Sequence, residues 1–378
     1  MPRRNSLFHS NFCFALLLVG SLVAPARLSH AQVQTAVAAP FTMEWTEGRC
    51  RLCWVARQLG ALRFTRPNEA WAVGFWAPHS ADAAGRYTDS SDGYVIVHTV
   101  DAGKIWKELP SSGTHTAEPA FSFVDDLHGW VSGMSPVGDS WVRRTTDRGR
   151  HWIQVSDEDL QAAVFVDEAH GFGKAGNHFL RSSDGGQTWN ESVLSQMAFI
   201  DRMFFLNQNT GWVAGSSGED AVILRTADGG QHWEESRIHT GRKTAEVRDV
   251  YFLNARQGWL ITGHFNDEGT YLFRTQDGGA TWKADPDKGF QGARNWLAGV
   301  RVIGNSLAFA YGRDDGGGSK DQGMLVYSHD GGDHWQKFLL PRRIYDCQAV
   351  EGNLECSALS GDTGLWLLKV RPSLLNGK

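Results

Sequence analysis

Six times along the chain the pattern x-x-x-Asp-x-Gly-x-x-Trp recurs, at residues 98–106, 144–152, 181–189, 225–233, 274–282 and 327–335. Its aspartates, Asp101, Asp147, Asp184, Asp228, Asp277 and Asp330, stand 37 to 53 residues apart, near the period of a four-stranded propeller blade. Upstream lies a second repeated element, an apolar strand and a turn leading into a Gly/Trp-rich strand. Examples are Gly-Trp-Val-Ser-Gly at 129–133, Gly-Trp-Val-Ala-Gly at 211–215 and Gly-Trp-Leu-Ile-Thr-Gly at 258–263, with Ala-Trp-Ala-Val-Gly at 70–74 opening the series. A third strand, as at 221–224 or 271–273, runs into the box, and a fourth begins at its Trp. Each unit therefore reads as an up-down four-stranded sheet, and radial packing of such sheets makes an all-β propeller with short edges.

The residue types of the box are those a tight turn needs. An Asp carboxylate accepts hydrogen bonds from nearby backbone amides, Gly supplies positive φ, and Trp buries a large apolar ring. The six aspartates are accordingly read as structural, with neither catalytic nor metal-binding duty. The same holds for His151, His232 and His334, which precede Trp152, Trp233 and Trp335.

After Trp335 a partial unit remains at 344–350, 354–359 and 364–370, and no seventh box follows. The segment Phe-Thr-Met-Glu-Trp at 41–45 carries a Trp like those that open the fourth strands, so it is expected to complete the last blade. That closes a seven-bladed ring over 41–370, with 371–378 as a tail, and removes two exposed sheet edges. A six-bladed ring with an appended sheet is the alternative.

Arg3 and Arg4 precede an apolar run at 12–24 and a small-residue site at Ser29-His30-Ala31, the pattern of a secretory signal over residues 1–31. Cleavage after Ala26 and an uncleaved anchor are the alternatives; residues 32–40 form a linker. No later stretch has the roughly 20 apolar residues of a membrane-spanning helix, so an exported protein without a span of its own is expected. Sixteen Trp and 43 Gly among 378 residues describe a chain with a large aromatic core and many turns. A net charge of −5 argues against nucleic acid as a partner, because phosphate binding rests on a basic face. Once Cys13 leaves with the signal, Cys50, Cys53, Cys347 and Cys356 remain, and four cysteines allow three pairings. A turn at Glu351-Gly352 sets Cys347 opposite Cys356, the favoured pairing; a bridge from Cys50 or Cys53 to the last blade is the alternative. A Cys-x-x-Cys redox or zinc centre lacks its usual context, and Trp54 after Cys53 departs from the haem attachment pattern. No cofactor is expected, and a monomer is.

The boxes resemble the bacterial neuraminidase repeat shared by sialidases, xyloglucan hydrolases and sortilin-like receptors. Gly-Trp-Ala-Val-Gly-like strands coupled to Arg-Thr-x-Asp-Gly-Gly-x-x-Trp boxes look more like the photosystem II assembly and stability factor propellers of cyanobacteria and chloroplasts. That resemblance implies a non-catalytic scaffold for a protein client, such as a membrane-protein assembly intermediate. A secreted glycoside hydrolase or carbohydrate-binding propeller is the alternative. However, Arg63-Phe-Thr-Arg-Pro67 lacks the sialidase Arg-Ile-Pro segment. Hydrolysis of other glycans needs two facing carboxylates, and none is marked out among Asp82, Asp89, Asp92, Asp267, Glu268, Asp314, Asp315 and Asp321.

In this topology the boxes share one face with the first-to-second strand turns, and the longer connections share the other. Loops on a rigid scaffold commonly carry function, and the long ones here run over 75–93, 240–248, 285–296 and 313–323. Arg202, Arg242, Lys243, Arg248, Arg294, Arg342 and Arg343 feed that face, with Trp76 and Trp296 as aromatic anchors. Arg and Trp are enriched in binding hot spots, so an electropositive docking patch for an acidic protein segment is expected, against the simpler reading of solvated charges offset by Asp201, Glu246, Asp249 and Asp287. The Asp314–Asp321 loop is read as a flexible glycine-rich segment in preference to a calcium loop.

Overall fold

The computed structural model describes residues 41–50, 56–76, 93–108, 120–134, 140–241, 245–263, 269–285, 295–314, 322–359 and 365–373. Contacts divide the chain into Met1–Ala39 and Pro40–Lys378. The expected signal sequence and most of the linker fall in the first unit, outside the described residues. Within the second unit the described residues form strands and turns without a helix, and so none that could cross a membrane.

These strands make seven four-stranded blades. We number them by their innermost strands: Ala56–Arg66, Ala120–Phe123, Ala162–Phe165, Phe199–Phe205, Glu246–Phe252, Asn295–Ile303 and Arg343–Val350. Burial falls from the middle of each blade to its rim. The central strands Gly258–Gly263 and Gly323–Ser328 are buried at every position, whereas Asn190–Val193 at a rim is exposed at every position. A strand covered on both faces by neighbouring blades reads as a continuous apolar run, so its sequence does not alternate.

Blades adhere through aromatic stacking. Trp130 of blade 2 lies on Phe165 of blade 3 with centroids 4.0 Å apart, Phe172 of blade 3 on Phe205 of blade 4 at 3.6 Å, and Trp212 of blade 4 on Phe252 of blade 5 at 3.5 Å. Each such ring removes roughly 150–250 Å² from water, on the order of 4–6 kcal/mol of transfer free energy before ordering costs. The Gly-Trp strand thus supplies the side chain that joins one blade to the next.

Ring closure follows the sequence expectation. The strand Phe41–Cys50 pairs antiparallel with Leu365–Pro372, from Phe41 opposite Pro372 to Gly48 opposite Leu365. It is the outer strand of blade 7, and that blade's last strand runs on to Pro372. Phe41 packs edge-on against Phe309, Tyr327 and Phe338 of blade 6. The end of the same strand also pairs in parallel with Ile105–Glu108 of blade 1, Arg49 opposite Ile105. Blades 7 and 1 therefore share one eight-stranded sheet, a junction the repeat pattern does not announce. Inside blade 7, Cys347 and Cys356 face each other across a hairpin and are joined by a disulfide. Glu351 and Gly352, both at positive φ, make its turn, the conformation a two-residue hairpin demands. Cys53 lies outside the described residues, as does the side chain of Cys50.

Candidate protein-docking face

The box face is one geometry used six times. In blade 4, Asp228 Oδ1 accepts the amides of Gln231 and His232 at 3.0 and 2.9 Å and the Thr226 hydroxyl at 2.9 Å. Thr226 Oγ1 in turn accepts the Gly230 amide at 2.8 Å. The hydroxyl two residues before the Asp recurs as Thr99, Thr145, Ser182, Thr275 and Ser328, each taking the amide of the box glycine. Sequence reasoning passed over it, although an invariant Thr/Ser beside a turn Asp was the available signal. These bonds leave the carboxylates strongly acidic. The backbone and side chain of His151 hold the Asp147 carboxyl down at about 2, and the Thr281 hydroxyl and amide hold Asp277 at about 2. A carboxylate this weakly basic is ill suited to general acid–base work near neutral pH, and its oxygens are already hydrogen-bonded within the turn.

The box glycine has a second reason to be glycine. Gly149 and Gly230, at φ +68° and +85°, would place a Cβ 2.2 Å from the Trp71 ring and 2.4 Å from the Phe179 ring of the preceding blades. Trp130 and Trp212 donate their indole N–H to Gly185 and Gly278 carbonyls of the following boxes at 2.9 and 2.8 Å. Box and Gly-Trp strand therefore form one inter-blade contact.

The opposite end differs from blade to blade. The innermost strands of blades 4, 5, 6 and 7 are bulged near their starts, between Ile200 and Arg202, Val247 and Asp249, Leu297 and Gly299, and Ile344 and Asp346. A bulge re-aims side chains, and in blades 4, 5 and 7 it turns an aspartate toward the next blade. Asp201 accepts the Val247 amide, Asp249 the Val300 amide and Asp346 the Leu62 amide, at 2.9, 2.9 and 3.0 Å. Arg301 binds Asp249 at 2.8 Å and lies 3.5 Å from Asp346, which also pairs with Arg63 at 3.0 Å. Lys174 donates to the Ile200 and Asp201 carbonyls, and burial with Arg202 nearby pushes its pKa down to about 8. Nearer the box end, Ser122 of blade 2 accepts the Phe165 amide of blade 3 at 2.8 Å.

On the rim of this end stand several residues singled out in the sequence. Trp296 is covered by the Arg248 guanidinium at 3.2 Å from its ring centroid and by Arg313 at 4.6 Å. Arg248 also pairs with Glu246 at 2.8 Å and is only 11% exposed, so it is a built-in member of a stack and not a solvated cation. Gly263 opposite leaves room for it, since a Cβ there would fall 2.1 Å from Arg248 Nε. Arg202 is exposed and donates to the Arg248 carbonyl at 2.7 Å. Arg342 lies over Trp366 at 3.8 Å, and Arg343 begins the adjoining strand. Arg313 and Trp366 were missed; the glycines that close the Gly-Trp strands were the hint that large groups cross there. Arg242, Lys243 and Arg294, along with the side chain of Trp76, lie outside the described residues.

Other chemistry finds little footing among the described residues. Asp125, His128 and Glu168 bring ligand atoms within 4.8 Å of one another, but His128 contacts both carboxylates and Arg144 binds Glu168 at 3.2 Å. The cluster reads as an ion network joining blades 2 and 3. Asp314 is buried and paired with Lys337. Residues 315–321, Asp82, Asp89, Asp92, Asp267 and Glu268 lie outside the described residues.

The fold and its repeats define a seven-bladed Asp-box propeller whose two ends are built on different principles. The family described as photosynthesis system II assembly factor YCF48 matches residues 150–243, and over that stretch the resemblance read from the boxes stands. A solved structure of YCF48 bound to D1 peptide is similar at 16% identity, with a TM-score of 0.58 over 87% of this chain and 96% of that one. YCF48 from Cyanidioschyzon merolae is similar at 15% identity and a TM-score of 0.60, over 88% and 99%. A GH74 xyloglucanase from Xanthomonas campestris is similar at 12% identity and a TM-score of 0.51, over 81% of this chain and 51% of that one. At these identities the likeness is one of fold. No curated protein sequence matches the chain.

Proposed function

We propose that the protein is an exported, non-catalytic scaffold that docks an acidic protein segment on the long-loop face of blades 4 to 7. The observation that carries this reading is the pair of cation–aromatic stacks on one rim, Arg248–Trp296–Arg313 and Arg342–Trp366. Guanidinium groups stacked on indoles lose little further entropy on binding, and the exposed Arg202 adds a cation beside them for a carboxylate. The matched family and the peptide-bound relative of like fold support a protein client. The glycan hydrolase alternative would use a carboxylate pair, and on the innermost strands Asp249 and Asp346 are tied to Arg301 and to backbone amides.

The test is affinity capture of the tagged protein from its native membranes, comparing wild type with an Arg202→Glu/Arg342→Glu variant. Capture should fall at least tenfold while the melting temperature moves by no more than ~2 °C. Undiminished capture of the same prey by the variant would overturn the docking face.

A further inference from the structure

Four blades carry an Arg three residues ahead of the box Asp, and three of these arginines fill the gap to the next blade. Arg144 reaches Glu168 on the neighbouring turn at 3.2 Å, and its guanidinium would lie 2.9 Å from a Cβ on Gly185. Arg274 donates to the Gly331 carbonyl at 2.9 Å and pairs with Asp333 of the next box. Arg225 pairs with Glu234 across its own hairpin at 3.3 Å and lies against Gly278 of the next box. Arg181 is the exception. It makes no ion pair or side-chain hydrogen bond among the described residues, and no arginine approaches Gly229 in the next box.

The cause is local and threefold. Where Arg144 meets Glu168, Arg181 faces Gln208; where Arg274 meets Asp333, it faces Gln231; where Arg225 meets Glu234, its register partner is Asn190. Each counter-ion is replaced by an amide, and a groove of roughly 270 Å³ stands open there, with Phe172 and His170 in its wall. Asp228 also borders it, but its oxygens are occupied by Thr226, His232 and turn amides.

We propose that this groove between blades 3 and 4 binds a small hydroxyl-rich carboxylate, with Arg181 as the counter-ion and the amides of Asn190, Gln208 and Gln231 bonding its hydroxyls. A single guanidinium beside an ionised Asp228 suits one negative charge better than a phosphate's two. The groove opens on the box face, away from the docking rim, and shares no residue with it.

Calorimetric titration of the full chain with D-galacturonate tests this, with D-galactose as the neutral control and trigalacturonate as the glycan-borne form. Galacturonate should bind at least tenfold more tightly than galactose. Arg181→Gln should abolish the difference, and Gln208→Glu should do so too by supplying the missing counter-ion, without lowering the melting temperature. A tighter trimer points to a glycan end as the source, and equal affinity to a free acid. No galacturonate binding, equal galactose binding, or full binding by either variant overturns the proposal. Client capture by Arg181→Gln should be unchanged, which separates this site from the docking face.

Discussion

The box end and the long-loop end of the same blades hold together in different ways. At the box end blades 1 to 6 repeat one set of short-range bonds: a hydroxyl, a carboxylate and two left-handed residues within a single turn. At the other end the ties run between blades, with a bulged aspartate accepting an amide of the next blade in blades 4, 5 and 7 and added arginine pairs at Asp249 and Asp346. A local motif must carry all its partners in one stretch of sequence, so it is conspicuous. A seam takes its two halves from separate segments, 46 residues apart for Asp201 and Val247 and 284 for Asp346 and Leu62.

Breaking the box end should cost most where backbone and packing fail together. Gly230→Val forces a β-branched residue into positive φ against the Phe179 ring, and a loss above about 4 kcal/mol is expected from urea midpoints. Gly218→Ala has similar φ, +63°, but open space around it, so only about 1–2 kcal/mol should be lost. Equal losses would mean that the ring contact contributes nothing.

At the seam end, Arg301→Met leaves Asp249 and Asp346 without their shared cation, which should cost about 3–5 kcal/mol. Adding Asp249→Asn should recover part of that loss in a double-mutant cycle. Strict additivity would show the two residues to be uncoupled. Thr226→Val strips one box of its hydroxyl and orphans the Gly230 amide, an expected cost of about 1–3 kcal/mol by thermal melting.

The smallest effect is that of acid. The box carboxyls have folded values below the roughly 3.9 of an unfolded Asp, so their contribution is whole above pH 4 and is lost as pH falls through about 2 for Asp147 and Asp277. Melting temperatures between pH 5 and pH 2 should fall less steeply in Asp147→Asn than in wild type. Parallel curves would assign acid lability elsewhere.

These differences also mark how far the sequence could be read. Blade number, box roles and the closing strand were legible because each rests on a period or on an unpaired remainder: Phe41–Cys50 is the one strand left over and blade 7 the one lacking a rim. The cation–aromatic rim was legible only by residue type. That Arg248 would lie stacked on Trp296 depends on a bulge at 247–249 and a glycine at 263 meeting in space, and neither carries a local signature. The open groove at Arg181 escaped for the opposite reason: its box is regular, and what sets it apart is three neutral residues in other segments.

The closing strand has a consequence for how the molecule comes into being. Phe41–Cys50 is the earliest blade strand to be synthesised, and its antiparallel partner Leu365–Pro372 is the last. Until that partner arrives, its hydrogen-bonding edge has no mate, and the finished ring pays its largest loop-closure entropy in one final step. Blades 2 to 6, each made of contiguous chain, can form in order of emergence. The eight-stranded junction of blades 7 and 1 is then the slow zipper, the place where a partly made copy is most open to pairing with another.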